Sequence, residues 1–139
     1  MFQNGRFSSC GLTFLRIVTG IIFFMHGWQK VTVFGLAGVT GMFTSFGIPL
    51  PHIAAVVVTS VELIGGAALV LGLGTRWAAL LNAIDMVVAI CVVHFKNGFF
   101  NPNGVEHPLA LVGALICLVL AGPGCIAMDN IIARKRMSA

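Results

Sequence analysis

Charged side chains are scarce in this sequence: 9% of its 139 residues are Asp, Glu, Lys or Arg, whereas 58% are hydrophobic. Soluble domains are about one-quarter charged, so this chain has too few polar groups to cover a water-facing surface. Its mean hydropathy of +1.03 supports the same conclusion. The composition excludes a soluble globular protein and predicts an integral membrane protein with a single transmembrane domain, residues 1–139.

Motifs that usually reveal a chemistry are also missing. The four cysteines, Cys10, Cys91, Cys117 and Cys125, form no C-x-x-C pair, so we expect neither a metal site nor a thioredoxin-like motif. Free thiols that pack as small apolar groups are the default interpretation. The alternative is a redox role, with Cys10 and Cys125 as partners because both fall near the same membrane face. No phosphate-binding glycine loop or dinucleotide fingerprint occurs.

The few basic residues do not form a nucleic-acid site. The net charge is +4, and much of it lies in Arg134, Lys135 and Arg136 near the C-terminus. No basic stripe interleaved with aromatic residues appears. A tail that flanks a membrane segment explains these charges, so we expect a lipid bilayer around the chain and no nucleic-acid partner.

Four stretches have the roughly 20 mainly apolar residues that a membrane-spanning helix needs. They are, approximately, residues 11–34, 52–73, 76–95 and 107–124. Proline- and glycine-rich segments such as "GIPLP" separate them, because each proline removes a backbone donor. Residues 35–46 are apolar but too short to span, and we expect a short interfacial helix there, in the first outer loop. The predicted fold class is an all-α integral membrane protein with a four-transmembrane-helix bundle.

Lysines and arginines near the helix ends predict that both termini are cytoplasmic. In that orientation Arg6, Arg76 and the C-terminal basic residues lie inside, whereas Lys30 and Lys96 lie outside. The same topology gathers a set of polar residues on the outer side of the membrane. These residues are His26, Gln29, Lys30, His52, His94, Lys96, Glu106 and His107.

Three charged residues, Arg16, Glu62 and Asp85, fall inside the predicted spans and away from their outer ends and turns. Charges at that depth are costly unless they face inward and pair. We therefore expect a structural ion pair of Arg16 with Glu62 or Asp85. The alternative is a protonatable carboxyl group that serves as a proton relay or contacts a quinone. Gly65 and Gly66, beside Glu62, should let a neighbouring helix approach closely.

His26 and Lys30 share one helix face because they are four residues apart. Lys30 alone could extend to the interface, and His26 could simply be hydrogen-bonded inside the bundle. The candidates for catalysis are His26, Lys30, Glu62, Asp85 and His94. The candidate quinone pocket comprises His26, Gln29, Lys30, His94 and Glu106. Haem is not expected, because nearby Lys30 and Lys96 would crowd His26 and His94 with positive charge.

In these residues the chain resembles the DoxX family of small four-helix membrane proteins, over nearly its full length. The matching segments are "LRIVTGIIFFMHGWQK" from Leu15, "FGIPLP" from Phe46, "ELIGGAALVLGLGTRWAAL" from Glu62, "MVVAICVVH" from Met86, "NGFF" from Asn97, "GVEHP" from Gly104 and "GPG" before Asp129. Ala127 departs from a serine that is frequent in the family. The segment "NPNGVE" departs from a plain double glycine.

The resemblance implies a four-helix bundle and a redox setting. Relatives include the membrane subunit of thiosulfate:quinone oxidoreductase and proteins described as oxidoreductases, some of which partner with superoxide dismutase and a sulfurtransferase. We therefore expect a quinone-linked redox subunit, without an intrinsic cofactor, in the cytoplasmic (inner) membrane of a bacterium. It would cross that membrane several times and work with a partner redox protein in sulfur or oxidative-stress metabolism.

Two other functions remain open at this point. One is a non-catalytic membrane anchor or assembly subunit of a larger complex. The other is transport of a small solute, since charged residues inside a membrane also mark transport pathways. Four short helices show no inverted repeat, so transport would need a homo-oligomer.

Overall fold

The computed structural model describes residues 5–100 and 102–137, and all regular structure in these ranges is helical. The helices are α1 (Gly5–Gln29), α2 (Gly35–Ser45), α3 (Pro51–Leu71), α4 (Thr75–Ala89), α5 (Glu106–Ala121) and α6 (Met128–Met137). π-Helical turns extend α1 (Lys30–Phe34) and α4 (Ile90–His94), and a 3-10 turn, Phe95–Asn97, follows the second. Asn101 of the "NPNGVE" segment and the side chain of Arg6 lie outside the described part.

In the described part of the chain, three helical stretches are long and apolar enough to cross a membrane: Phe7–Ser45, Pro51–Leu71 and Thr75–Asn97. The fourth apolar helix, α5, has 16 residues. It is therefore about 24 Å long, somewhat less than the roughly 30 Å of a typical hydrocarbon core. The chain is a helical membrane protein embedded in lipid. The fourth crossing and the cytoplasmic position of both termini remain predictions.

The predicted short helix in the first loop is present as α2. It follows α1 through the π-helical turn and one sharp change of direction at Gly35, whose φ is 65°. A left-handed conformation of this kind is readily adopted only by glycine. Helix α3 then starts at Pro51, where the missing N–H of proline is tolerated in the first helical turn.

Glycines bring the backbones of α1 and α3 into direct contact. A Cβ atom added to Gly20 or Gly27 of α1 would lie less than 3 Å from backbone atoms of α3. On α3, Gly66 faces the backbone of α1 in the same way, whereas Gly65 faces the side chain of Asn82 on α4. The predicted packing role of Gly65 and Gly66 is confirmed: they let α3 fit between α1 and α4.

The apolar core lies where α4 and α5 pack against α1 and α3. Small residues on α4 face larger ones on α5, so the two helices interlock. The buried core consists of Phe23, Leu69, Ala78, Ala79, Ala83, Leu111, Leu115 and Leu118.

At the end of the bundle where α1 begins, α6 is tied to the turn between α3 and α4. The carboxylate of Asp129 accepts hydrogen bonds from the backbone N–H groups of Gly74 (2.7 Å) and Thr75 (2.9 Å). It therefore caps the N-terminus of α4 from a distant part of the chain. Arg16 is buried at the same end and donates to the carbonyl oxygen of Ile126 at 2.6 Å. The basic residues predict only a tail that flanks a membrane segment, whereas the structure forms helix α6 there.

Candidate functional site

A cavity of about 390 Å³ lies at the other end of the bundle, where α1 and α4 end and α3 and α5 begin. Most of its wall is apolar, with Phe23, Val58, Met86 and Leu111 contributing from four different helices. Six side chains that can carry charge or exchange protons also line it. They are His26, Lys30, Glu62, Asp85, His94 and His107.

Lys30 and Glu62 form an ion pair on one side of this cavity. The Lys30 Nζ donates to the Glu62 Oε2 at 2.5 Å, and the side chains are 16% and 3% exposed. Lys30 is the first residue of the π-helical turn after α1. Turns of this kind are frequent at functional sites. The pair joins the end of α1 to the middle of α3 and compensates two charges that would be costly to bury separately.

The structure does not bring Arg16 to Glu62 or Asp85. Arg16 lies about 21 Å along the helix from Lys30, at 1.5 Å per residue. The register between α1 and α3 explains the separation, because Gly27 contacts Leu63 and thereby places Glu62 level with the end of α1. The expected pairing of Arg16 is therefore corrected: its guanidinium is used at the opposite end of the bundle, and Lys30 is the partner of Glu62.

Asp85 presents a carboxyl group to the cavity without a full set of partners. Its Oδ2 is buried and accepts no hydrogen bond from the described residues. One turn earlier, Asn82 donates through Nδ2 to the carbonyl of Ala78 at 2.8 Å, while its Oδ1 is buried without a donor in the described chain. Buried acceptors of this kind are normally satisfied by a bound molecule or an ordered water.

His94 is held in one orientation at the cavity wall. Its Nδ1 lies 2.9 Å from the carbonyl oxygen of Asn103. A carbonyl can only accept, so Nδ1 carries the hydrogen and Nε2 of the neutral ring is left as an acceptor. His94 ends the π-helical turn after α4, as Lys30 begins the one after α1.

The cavity thus brings together the five residues that the sequence marked as candidates for catalysis: His26, Lys30, Glu62, Asp85 and His94. Two members of the predicted pocket, Gln29 and Glu106, are not among the described residues that line it. His107 lines it instead of Glu106, because neighbouring residues on a helix point about 100° apart. The helical period of α5 was the sequence signal that could have shown that His107, and not Glu106, faces the cavity.

His52 is on the same end of the bundle but outside this cavity. Its Nδ1 lies 3.4 Å from the hydroxyl of Thr40. Within residues 5–100 and 102–137, no group of three or more His, Cys, Asp or Glu side chains is arranged to hold a metal ion. The arrangement can hold a small, mainly apolar molecule whose oxygen atoms meet Lys30, His94 and Asp85.

Comparison with known proteins gives a consistent picture. The sequence model of the DoxX family matches residues 11–95. The Bacillus subtilis (strain 168) protein named "Putative oxidoreductase CatD" is 38% identical over 119 residues, which cover 86% of this chain and 84% of that protein. "Inner membrane protein YphA" of Escherichia coli (strain K12) is 27% identical over 93% of this chain and 95% of its own. "Inner membrane protein YqjF" of the same strain is 27% identical over 94% and 98%. No solved structure matches the chain.

Proposed function

The chain belongs to the DoxX family, and on that premise we propose that it is a redox subunit that binds a quinone in the cavity between α1, α3, α4 and α5. It works with a partner oxidoreductase in the cytoplasmic membrane of a bacterium. The oxidoreductase name of the CatD relative supports the redox assignment. The inner-membrane names of the YphA and YqjF relatives support the location.

One observation carries the proposal: an ion pair and a carboxyl with an unsatisfied oxygen, Asp85, share one apolar cavity. Its volume of about 390 Å³ falls in the range of roughly 300–1,000 Å³ that is usual for small-molecule sites. A quinone head group is a flat ring with an oxygen acceptor at each end. It matches an apolar wall that carries N–H donors and a proton-exchanging group.

When a quinone is bound, it supplies an acceptor for two electrons and two protons. Lys30 has three N–H donors and uses one on Glu62, so another can hold a carbonyl oxygen of the head group. His94 presents Nε2, which can accept a hydrogen bond from a quinol hydroxyl. Asp85 can take up or release a proton within the cavity, and its apolar wall limits the entry of water. The electrons come from the partner protein.

Binding of a short-chain quinone to the purified protein tests this proposal. We expect saturable binding to the wild type, and at least about tenfold weaker binding, or roughly 1.4 kcal/mol, for His94→Gln and Asp85→Asn. The matched control is His52→Gln, which removes a histidine from the same end of the bundle outside the cavity. Absence of saturable binding to the folded wild type contradicts the proposal, as does equal loss in His52→Gln.

The Lys30–Glu62 contact favours a second function, that of an anchor or assembly subunit. The two side chains already satisfy each other at 2.5 Å, and such a pair can serve only to fix α1 against α3. In that case Glu62→Gln lowers the yield of the assembled complex without changing turnover per complex. Measuring quinone reduction relative to the amount of assembled complex separates the two functions.

A further inference from the structure

The end of the bundle opposite the cavity holds two thiols. Cys10 lies on α1 and Cys125 lies between α5 and α6, yet their Sγ atoms are 3.3 Å apart. Both side chains are exposed. Cys10 and Lys30 are about 30 Å apart along the helix axis, at 1.5 Å per residue. The Cys10–Cys125 pair, hereafter the thiol pair, is therefore a separate site from the cavity.

Backbone hydrogen bonds hold Cys125 against α1. Its N–H donates to the Thr13 hydroxyl oxygen at 3.0 Å and to the Ser9 carbonyl at 3.2 Å. The preceding residue, Gly124, has a φ of 84°, and a Cβ atom there would approach Thr13 and Ser9 closer than 3 Å. Only glycine permits this approach. The fold thus keeps the two sulfur atoms together without a covalent bond.

The surroundings also favour the reactive form of one thiol. The Thr13 hydroxyl, 3.5 Å from the sulfur, and the Cys10 thiol lower the pKa of Cys125 below its usual range. In the dithiol form the Thr13 hydroxyl donates to the Ser9 carbonyl at 3.1 Å, and it can turn toward a thiolate. Since the thiolate is the nucleophile in disulfide exchange, Cys125 is the attacking sulfur and Cys10 is the second.

We propose that Cys10 and Cys125 form a redox-active dithiol that exchanges with a small anionic disulfide, of the type of oxidised glutathione, in the aqueous phase. Helix α6 starts three residues after Cys125 and carries Arg134, Lys135 and Arg136 in its last turn. This positive charge attracts an anionic reactant. Exposed disulfides are typically the exchangeable ones. This function is independent of quinone binding.

The exchange proceeds in two steps. The Cys125 thiolate attacks one sulfur of the external disulfide, so that a mixed disulfide forms and one thiolate leaves. Cys10 then attacks the Cys125 sulfur, which closes the bond within the chain and releases the second thiolate. The chain is oxidised by two electrons and the external disulfide is reduced to two thiols, which receive the two protons of the cysteines. Closure brings the sulfur atoms from 3.3 Å to the bonded distance of about 2.05 Å.

The experiment uses the purified full-length chain carrying Cys91→Ser and Cys117→Ser, treated with oxidised glutathione at neutral pH. Intact mass and peptide mapping should show the loss of two hydrogens and a Cys10–Cys125 linkage, both reversed by dithiothreitol. Adding Cys10→Ser should stop the reaction at the mixed disulfide, in which one glutathione is bound to Cys125. Adding Cys125→Ser instead should slow the reaction at Cys10 by about tenfold or more, since the favoured thiolate is lost.

Two results overturn the proposal. One is that the folded protein fails to form the Cys10–Cys125 linkage, either because each cysteine binds its own glutathione or because neither cysteine reacts. The other is that Cys125 reacts no faster than Cys91 or Cys117 in single-cysteine variants. His94→Gln in the same background should leave exchange unchanged, so that failure of quinone binding and failure of thiol exchange are distinguished.

Discussion

The Nζ of Lys30 lies 2.5 Å from the Oε2 of Glu62, across the contact between α1 and α3. The Glu62 side chain is only 3% exposed, and a buried charge that loses its partner is strongly destabilising. We expect Lys30→Gln or Glu62→Gln alone to lower the free energy of unfolding by up to about 3–5 kcal/mol. The free energy of unfolding of the double variant should fall by less than the sum of the two single effects, because no charge is left unpaired.

Reversible unfolding in mixed detergent micelles measures this coupling as a double-mutant cycle. The control is Lys96→Gln, which removes an exposed lysine at the same end of the bundle. That variant should change the free energy of unfolding by less than about 0.5 kcal/mol. If the effects of Lys30→Gln and Glu62→Gln are additive, the ion pair does not stabilise the contact.

The sequence predicted the helices of the bundle because long apolar runs, broken at proline and glycine, need no tertiary information. It also predicted which polar residues share one end of the bundle, since those positions follow from alternating helix direction. It did not predict that Glu62 pairs with Lys30 and not with Arg16. That choice depends on the register of α1 against α3, which Gly20, Gly27 and Gly66 set through backbone contacts.

The capping of α4 by Asp129 could not be predicted for a similar reason. The bond joins residues 55 positions apart, and no local pattern reports such a contact. The sequence indicated Cys10 and Cys125 as partners only because the predicted topology places both near the same membrane face. The distance between them depends on the Thr13 hydrogen bonds to the loop before α6, which only the structure supplies.

The close contact of α1 with α3 makes Gly27 sensitive to a single added methyl group. A Cβ atom there would approach Leu63 backbone atoms closer than 3 Å. We expect Gly27→Ala to destabilise the protein by about 1–3 kcal/mol, as overpacking usually does. Gly113→Ala on α5 is the matched control, because a Cβ atom there meets nothing within 4 Å.

Thermal unfolding in one detergent compares the two alanine variants. Gly113→Ala should be neutral or more stable by up to about 1 kcal/mol, since alanine is the better helix former. Equal stability of both variants would mean that α1 and α3 do not pack through Gly27 in solution.

Asp129 connects α6 to the start of α4, and its removal should loosen both. Its two carboxylate oxygens accept from Gly74 and Thr75 at 2.7 and 2.9 Å. Asp129→Ala should cost about 1 kcal/mol of stability, as loss of a helix cap does, and Asp129→Asn should cost less because it keeps one acceptor. Hydrogen exchange of the first turn of α4 measures the effect, and unchanged protection in Asp129→Ala contradicts the capping role.

The Thr13 hydroxyl lowers the pKa of Cys125, which predicts how alkylation depends on pH. A lowered pKa keeps the thiolate present at lower pH, so alkylation of Cys125 should reach half its maximal rate at a lower pH than that of an ordinary cysteine thiol. Thr13→Val removes the hydroxyl and should move this midpoint to higher pH.

Thr13→Ser keeps the hydroxyl and is the matched control for the Val variant. The groups that act on Cys125 are the Thr13 hydroxyl, the Cys10 thiol, Ser9 and the Arg16 guanidinium, whose charge interacts with it. When the rate of alkylation by iodoacetamide is measured from pH 5 to 10, the rate should begin to rise at a lower pH in wild type and Thr13→Ser than in Thr13→Val. Cys10→Ala should shift the midpoint upward as well, because it removes the second donor. Coincident profiles for all four proteins would show that these contacts do not stabilise the Cys125 thiolate.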